Sequence, residues 1–137
     1  MASIIEKETG ANAERELVSG VFYNRLKKNM RLQSDPTVIY AVTKGQYKLN
    51  RQLSKRDLRK KSVFNTYTTR GLPPTPIANP GYKALFAAFN PAETKFLYFV
   101  ANGDGGHNFA SNLNDHNKNV QILRKIERNR KIKNENM

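Results

Sequence analysis

The chain has 137 residues, of which 38% are hydrophobic and 26% charged, the proportions of one globular domain rather than of a disordered segment. It contains no cysteine, which excludes a disulfide framework, a thiolate nucleophile and a cysteine-held metal. Its net charge of +13, from 24 Lys and Arg against 11 Asp and Glu, raises the question of a nucleic-acid partner.

Residues 1 to 9 carry a short helical pattern that Gly10 ends. A second helix is predicted from Asn12 or Ala13 to Lys28. Leu17, Val21, Phe22 and Leu26 lie on its apolar side, with Glu14 and Glu16 in the first turn and Lys27 and Lys28 in the last, as the helix dipole favours. Asp35-Pro36 then starts a helix carrying Val38, Ile39 and Val42, with Asp at the N-cap and Pro at the first helical position. Gly45 to Leu53 reads as a polar, basic loop, and Ser54 caps a further short helix. Phe64 to Thr69 reads as extended. Gly71 to Gly81 holds four of the six prolines and is a stiffened loop, suited to mounting binding groups. Pro80 begins a helix through Leu85, Phe86 and Phe89, and Asn90-Pro91 stops it. Phe96 to Ala101 is a strand, turned at Asn102–Gly106 into a second around His107 to Phe109. A last helix runs from about Asn114 to Lys133, with Val120, Leu123 and Ile126 in register and a polar, frayed tail. The fold class is α+β: a mostly helical single domain with a small antiparallel β-hairpin.

No apolar run approaches the roughly 20 residues of a membrane-spanning helix, and Met1 to Glu6 meets a charge too early for a signal peptide. The charge is concentrated in two places. Lys44 to Lys61 has eight basic residues and one acid, and Arg124 to Lys133 has six and one. A nucleic-acid binder should interleave aromatic residues with such runs, for stacking on bases. Here the first run holds only Tyr47 and the second holds none, so no nucleic-acid partner is expected.

A different chemistry is suggested by the first helix. At 100° per residue Glu8 lies about 40° from Ile4, 60° from Ile5 and 20° from Met1, on their apolar face, whereas Glu6 points about 200° away. A carboxyl on the buried side of a helix C-terminus is pushed toward protonation, and a carboxyl protonated near neutrality is the general acid that cleavage at a glycosidic oxygen requires. The plain alternative is a surface glutamate paired with a lysine.

Several segments carry a resemblance: Ala2–Thr9 with its Glu-Lys-Glu-Thr, Val21–Leu26, Arg31–Tyr40, Phe64–Tyr67, Gly71–Gly81 and Tyr98–Phe109. In that order and spacing, to about Gln121, the chain resembles the endolytic murein transglycosylases, the MltG or YceG-like family. The resemblance implies a catalytic domain over 1–123, followed by a basic helix end or tail over 124–137. It also implies that Glu8 is the catalytic acid/base, cleaving the β-1,4 bond between N-acetylmuramic acid and N-acetylglucosamine within a strand. The muramoyl C6 hydroxyl would close on C1 to leave a 1,6-anhydro end, which replaces the water-activating second carboxylate of a hydrolase.

Asp35 is the only other acid in a matching motif, and reads as a helix cap or a cleft hydrogen-bonding group. Gln33, Asn65, Tyr67 and Asn79 are candidates to bind acetamido and hydroxyl groups, and Tyr67 can also stack on a sugar face. Asn65 and Asn79 can equally satisfy loop backbone. Tyr40 and Tyr98 read as core, and Asn24-Arg25 as structural support, on the back of the second helix or bracing that of Glu8. His107 fits a hairpin turn. It and His116 lack metal-ligand spacing, so neither metal nor cofactor is expected. The expected partner is peptidoglycan, with wall-synthesis proteins as further candidates; the basic surface is open to three readings, a match to stem-peptide carboxylates, a match to an anionic membrane surface, or plain lysine-rich composition. A relative that binds glycan without cleaving it is the competing expectation. The family works on the periplasmic face of the inner membrane, behind an N-terminal membrane helix and a LysM-like module. This sequence begins directly at the catalytic motif, which reads as a fragment or a shortened gene product.

Overall fold

A computed structural model describes residues 1–136. Seven residues, Ala2–Glu8, form α1, whose apolar side is Ile4 and Ile5, both fully buried. This helix is the centre of the fold. It packs against α2 (Arg15–Lys27), α3 (Asp35–Thr43) and α5 (Tyr82–Phe89). The core they enclose contains Ile4, Ile5, Val18, Phe22, Leu32, Ile77 and the small face of α5, Ala84, Ala87 and Ala88. Alanines on α5 let it approach closely, and they leave Phe86 and Phe89 on the exposed side.

α2 begins three residues later than Asn12, because Ala11–Glu14 form a turn and Glu14 becomes the N-cap. Gly20 in its middle is there for space: a Cβ would lie 2.6 Å from the carbonyl oxygen of Ala92. That close approach lets the segment after α5 cross α2, where Ala92 N donates to Glu16 O at 2.9 Å. The Asn24 amide then donates to Thr94 O and Phe96 O, at 2.7 and 3.0 Å. Asn24-Arg25 is structural, as expected, but it braces the approach to the hairpin rather than α1.

The hairpin pairs β1 (Tyr98–Ala101) with β2 (His107–Ala110), antiparallel, with Phe99 opposite Phe109. The first strand is shorter than Phe96–Ala101, because Asn24 already takes the Phe96 carbonyl. α6 (Leu113–Glu135) lies against both strands through half-buried Val120, Leu123 and Ile126, the three residues picked by helical spacing. Asn112 caps it, accepting from Asp115 N at 2.8 Å. It is helical through Glu135 rather than fraying after Lys133. Of the expected tail over 124–137, Met137 lies outside the described residues. No helix among the described residues is long and apolar enough to cross a membrane.

Two expectations about the middle of the chain need correction. The proline-rich segment 71–81 is laid against α1 rather than held out as a platform: Ile77 is in the core, Ile77 N donates to Ser3 Oγ at 3.0 Å and Gly81 N to Glu6 Oε1 at 2.6 Å. α5 consequently starts at Tyr82 with Gly81 as N-cap, not at Pro80. Phe64–Thr69 is a run of turns and not extended, after the one-turn helix α4 (Lys55–Leu58). Asn65 O accepts from the amides of Thr68 and Thr69. Short polar side chains offer the backbone local partners that compete with a strand ladder, and among the described residues the only sheet is the β1–β2 hairpin.

Candidate active site

The C-terminus of α1, the start of α3, the turns around Tyr67 and the hairpin converge on one cleft of ≈ 460 Å³. Glu8, Gln33, Asp35 and Tyr67 lie along one part of it, Phe99, His107 and His116 along another, with Arg25 between α2 and β1.

Glu8 enters the cleft from the last residue of α1 because the buried pair Ile4 and Ile5 fixes the rotation of that helix. Burial foremost, and the adjacent Asp35 charge second, push its carboxyl up to about 8, although a hydrogen bond from Ser34 opposes the shift. That Ser34 Oγ contact to Glu8 Oε1 is long, 3.4 Å. A carboxyl with this value is protonated at neutral pH, and its conjugate base is strong for a carboxylate.

The strand-like connector before α3 is held in a special conformation. Gln33 has φ +52°, in the left-handed region that costs a non-glycine residue about 1 kcal/mol. A small buried network sustains it. Gln33 N donates to Thr66 O, Ser34 N donates to Thr66 Oγ1 at 2.9 Å, and the hydroxyls of Thr37 and Thr66 are 2.8 Å apart. This turn puts Ser34 against Glu8 while Gln33 and Asp35 face outward. Such strain, stabilised by surrounding hydrogen bonds, is common where a side chain must be aimed.

Tyr67 closes the same side, donating its phenol to Asp35 Oδ1 at 2.6 Å. Burial and this carboxylate hold the phenol well above the usual tyrosine range, so it remains a donor. Asn65 is fully buried: its amide donates to Leu58 O and Lys60 O, and its Oδ1 accepts from Tyr67 N at 2.8 Å. It therefore positions Tyr67 and presents no surface to a sugar, the loop-satisfying reading of the two open for it. Asn79 is exposed and does not line this cleft at all, because segment 71–81 runs along the opposite side of α1. Gln33, Asp35 and Tyr67 are thus brought together with Glu8, whereas Asn65 and Asn79 are not.

The pattern of the YceG-like family matches residues 1–122. The chain belongs to that family. A YceG-like protein of Listeria monocytogenes has a structure that superposes with a TM-score of 0.76 at 47% identity, covering 86% of this chain and 36% of that one. An endolytic murein transglycosylase of Bacillus subtilis (strain 168) is 49% identical over 118 residues, 86% of this chain and 32% of that protein. Another, from Streptococcus pneumoniae serotype 2, is 37% identical over 126 residues, 88% of this chain and 22% of that protein. The YceG-like chain thus spans about a third or less of these relatives.

Three sets of contacts around this YceG-like site have partners that no local sequence pattern indicates. Arg25 is 6% exposed, lies over the Tyr98 ring at 4.9 Å, and donates to Leu97 O at 2.6 Å and Arg31 O at 2.7 Å, so it ties the hairpin to the connector. Tyr98 is accordingly half-buried beside the site, as is Tyr40 against Phe64. The hairpin is pinned a second time by Glu14, which accepts from His107 N at 2.9 Å and lies 3.1 Å from its Nδ1. His116 stacks on Tyr98, and burial, with Arg25 nearby, lowers its pKa below the ordinary imidazole value. Glu14 and His107 are 93 residues apart, and no local pattern links them. Among the described residues no cluster of three His, Asp or Glu could hold a metal.

Proposed function

We propose that this domain is an endolytic peptidoglycan lytic transglycosylase, cleaving the N-acetylmuramic acid–N-acetylglucosamine β-1,4 bond within a glycan strand. The single observation that carries the reading is the half-buried Glu8 carboxyl, raised to about 8 by desolvation and Asp35, at the wall of an open cleft. The names of the Bacillus and Streptococcus relatives support the same chemistry.

The steps follow from that carboxyl. Protonated Glu8 donates to the glycosidic oxygen as the bond to the muramoyl C1 breaks, and the leaving sugar departs with a free hydroxyl. Positive charge develops at C1, and the anionic Asp35 beside Glu8 favours it electrostatically. Glu8 is now an ionised carboxylate in a desolvated position beside another acid, so it takes a proton readily. It accepts the proton of the muramoyl C6 hydroxyl, whose oxygen bonds to C1. The 1,6-anhydro ring forms, no water is consumed, and Glu8 is again protonated. Asp35, held by Tyr67, has the role of an electrostatic and positioning group rather than a nucleophile. Gln33 and Tyr67 offer polar groups to the acetamido and hydroxyl substituents. The place of action implied is the cell wall, with wall-synthesis proteins as neighbours.

The deciding experiment incubates the chain and its Glu8→Gln variant with intact glycan strands and identifies the new ends by mass. Anhydro-muramoyl ends from the wild type and none from the variant are expected. Hydrolysed, reducing ends would overturn the lyase step, and strand binding without any cleavage would make the domain a glycan binder.

A further inference from the structure

A second depression, ≈ 670 Å³, shares a wall with the cleft. The wall is the end of α1 and the first turn of α3. Glu8 and Asp35 face the cleft, and the residues next to them in the chain, Lys7 and Pro36, face the depression. Ile39, Tyr40 and Ile77 contribute apolar surface to it. Its far side is the loop after α3, which carries Tyr47 and Lys48.

That loop is folded back onto α3. Lys44 and Gly45 take left-handed φ values of +55° and +71°, and Lys44 N donates to Tyr40 O at 2.7 Å. A Cβ on Gly45 would lie 2.9 Å from the Tyr40 ring, so only glycine lets the chain turn this tightly over it. The result is an aromatic and aliphatic surface flanked by cations. Arg51 is occupied by Asp57, but Lys7 and Lys48 are exposed and have no ion-pair partner among the described residues. The surrounding run Lys44–Lys61, with eight basic residues and one acid, reinforces their field. Asn79, which the cleft leaves unused, lines this depression too.

We propose that this depression binds the stem peptide of the glycan strand that occupies the cleft, its carboxylates at Lys7 and Lys48 and its apolar side chains against Tyr47 and Ile39. The proposal rests on the transglycosylase reading for the identity of the strand. It is favoured by charge: two unpaired lysines suit a stem peptide with several carboxylates better than a stripped strand, which keeps a single lactyl carboxylate on each muramoyl residue. It is favoured also by position, since consecutive residues of α1 and of α3 line the two sites, Glu8 and Asp35 the cleft and Lys7 and Pro36 the depression. The basic segment then reads as a selector for peptide-bearing strands.

The test uses glycan strands carrying stem peptides, the same strands stripped by an amidase, and the peptides released by that treatment. Released peptide titrated into isotope-labelled protein should move the amide resonances of Ile39, Tyr47 and Lys48. The Lys7→Gln/Lys48→Gln variant, altered only at exposed positions, should bind it about fivefold more weakly, the scale expected for two solvent-exposed ion pairs. The ratio of kcat/KM for peptide-bearing over stripped strands should fall by a similar factor. Peptide shifts confined to the cleft, no shifts, or shifts and a ratio indifferent to the double variant would each overturn the proposal. If peptide binds here with the lysine dependence while no strand is cleaved, the site stands and the catalytic reading falls.

Discussion

The phenol of Tyr67 donates to Asp35 across 32 residues of sequence, at 2.6 Å, and Asp35 is the charge that adds to burial in raising Glu8. The second acid of the cleft thereby acts on the first while being held away from the role of a free base. Asp35→Asn removes that charge and leaves the desolvation of Glu8 in place. In the proposed reaction Glu8 acts in its protonated form, so kcat/KM should fall as pH rises through its pKa. The variant's alkaline limb should move to lower pH than the wild-type limb near 8, though not to the range of an exposed carboxylate. A pH–rate profile on glycan strands measures it, and an unmoved limb would show that Asp35 does not act on Glu8 in this way.

The same shift has a consequence for stability. With an ordinary value of 4.5 and a folded value of about 8, Glu8 binds its proton more tightly in the native state than in the unfolded chain. Between those limits the native state holds more protons, so stability falls as pH rises, and the penalty is complete above about 8. At about 1.4 kcal/mol per pK unit the loss amounts to a few kcal/mol. Glu8→Gln should abolish this pH dependence and be the more stable protein at pH 8.5. Urea midpoints at pH 5 and 8.5 for both proteins supply the comparison.

Asn65→Ala should destabilise the fold by about 2 kcal/mol, because the side chain is fully buried and the Leu58 and Lys60 carbonyls and the Tyr67 amide all lose a partner. It should also raise KM, since Tyr67 is no longer held toward the cleft. Denaturant unfolding and strand kinetics on the same preparation separate the two effects. A variant of wild-type stability would mean that the turns are held by something other than this side chain.

Arg25→Lys keeps the charge but not the planar fork that reaches Leu97 O and Arg31 O together. A loss of about 2 kcal/mol in unfolding free energy is expected, with a drop in activity as the hairpin side of the cleft loosens. Hydrogen exchange localises it: faster exchange should appear in Tyr98–Ala101 and His107–Ala110, with α1 and α3 little changed.

Gly20→Ala should cost about 1–3 kcal/mol, as the added methyl meets the Ala92 carbonyl oxygen at 2.6 Å and the crossing segment must shift. Gly10→Ala, with nothing within 4 Å of its Cβ, serves as the control and should stay near wild type in thermal unfolding.

What could be read from the chain in advance was whatever short-range periodicity controls. The apolar face of α1 placed Glu8 beside Ile4 and Ile5, the Asp35-Pro36 pair marked the start of α3, and the spacing of Val120, Leu123 and Ile126 marked the side of α6 that meets the hairpin. These depend on residues within one or two helical turns of each other, so sequence determines them. The partners of a buried polar group are decided otherwise. Asn65 took loop carbonyls in place of a ligand, segment 71–81 took Ser3 and Glu6 on α1, and Asn79 went with it to the far side of that helix. Each outcome depends on which chain segments come within 3 Å after the core has closed, over separations of 70 residues or more in the case of α1. Sequence by itself therefore determined the family, most of the helices and the hairpin, and the side of α1 on which Glu8 lies. Only tertiary structure decided which other groups share its cleft, because burying a polar atom obliges it to find a partner and the fold alone sets who is near.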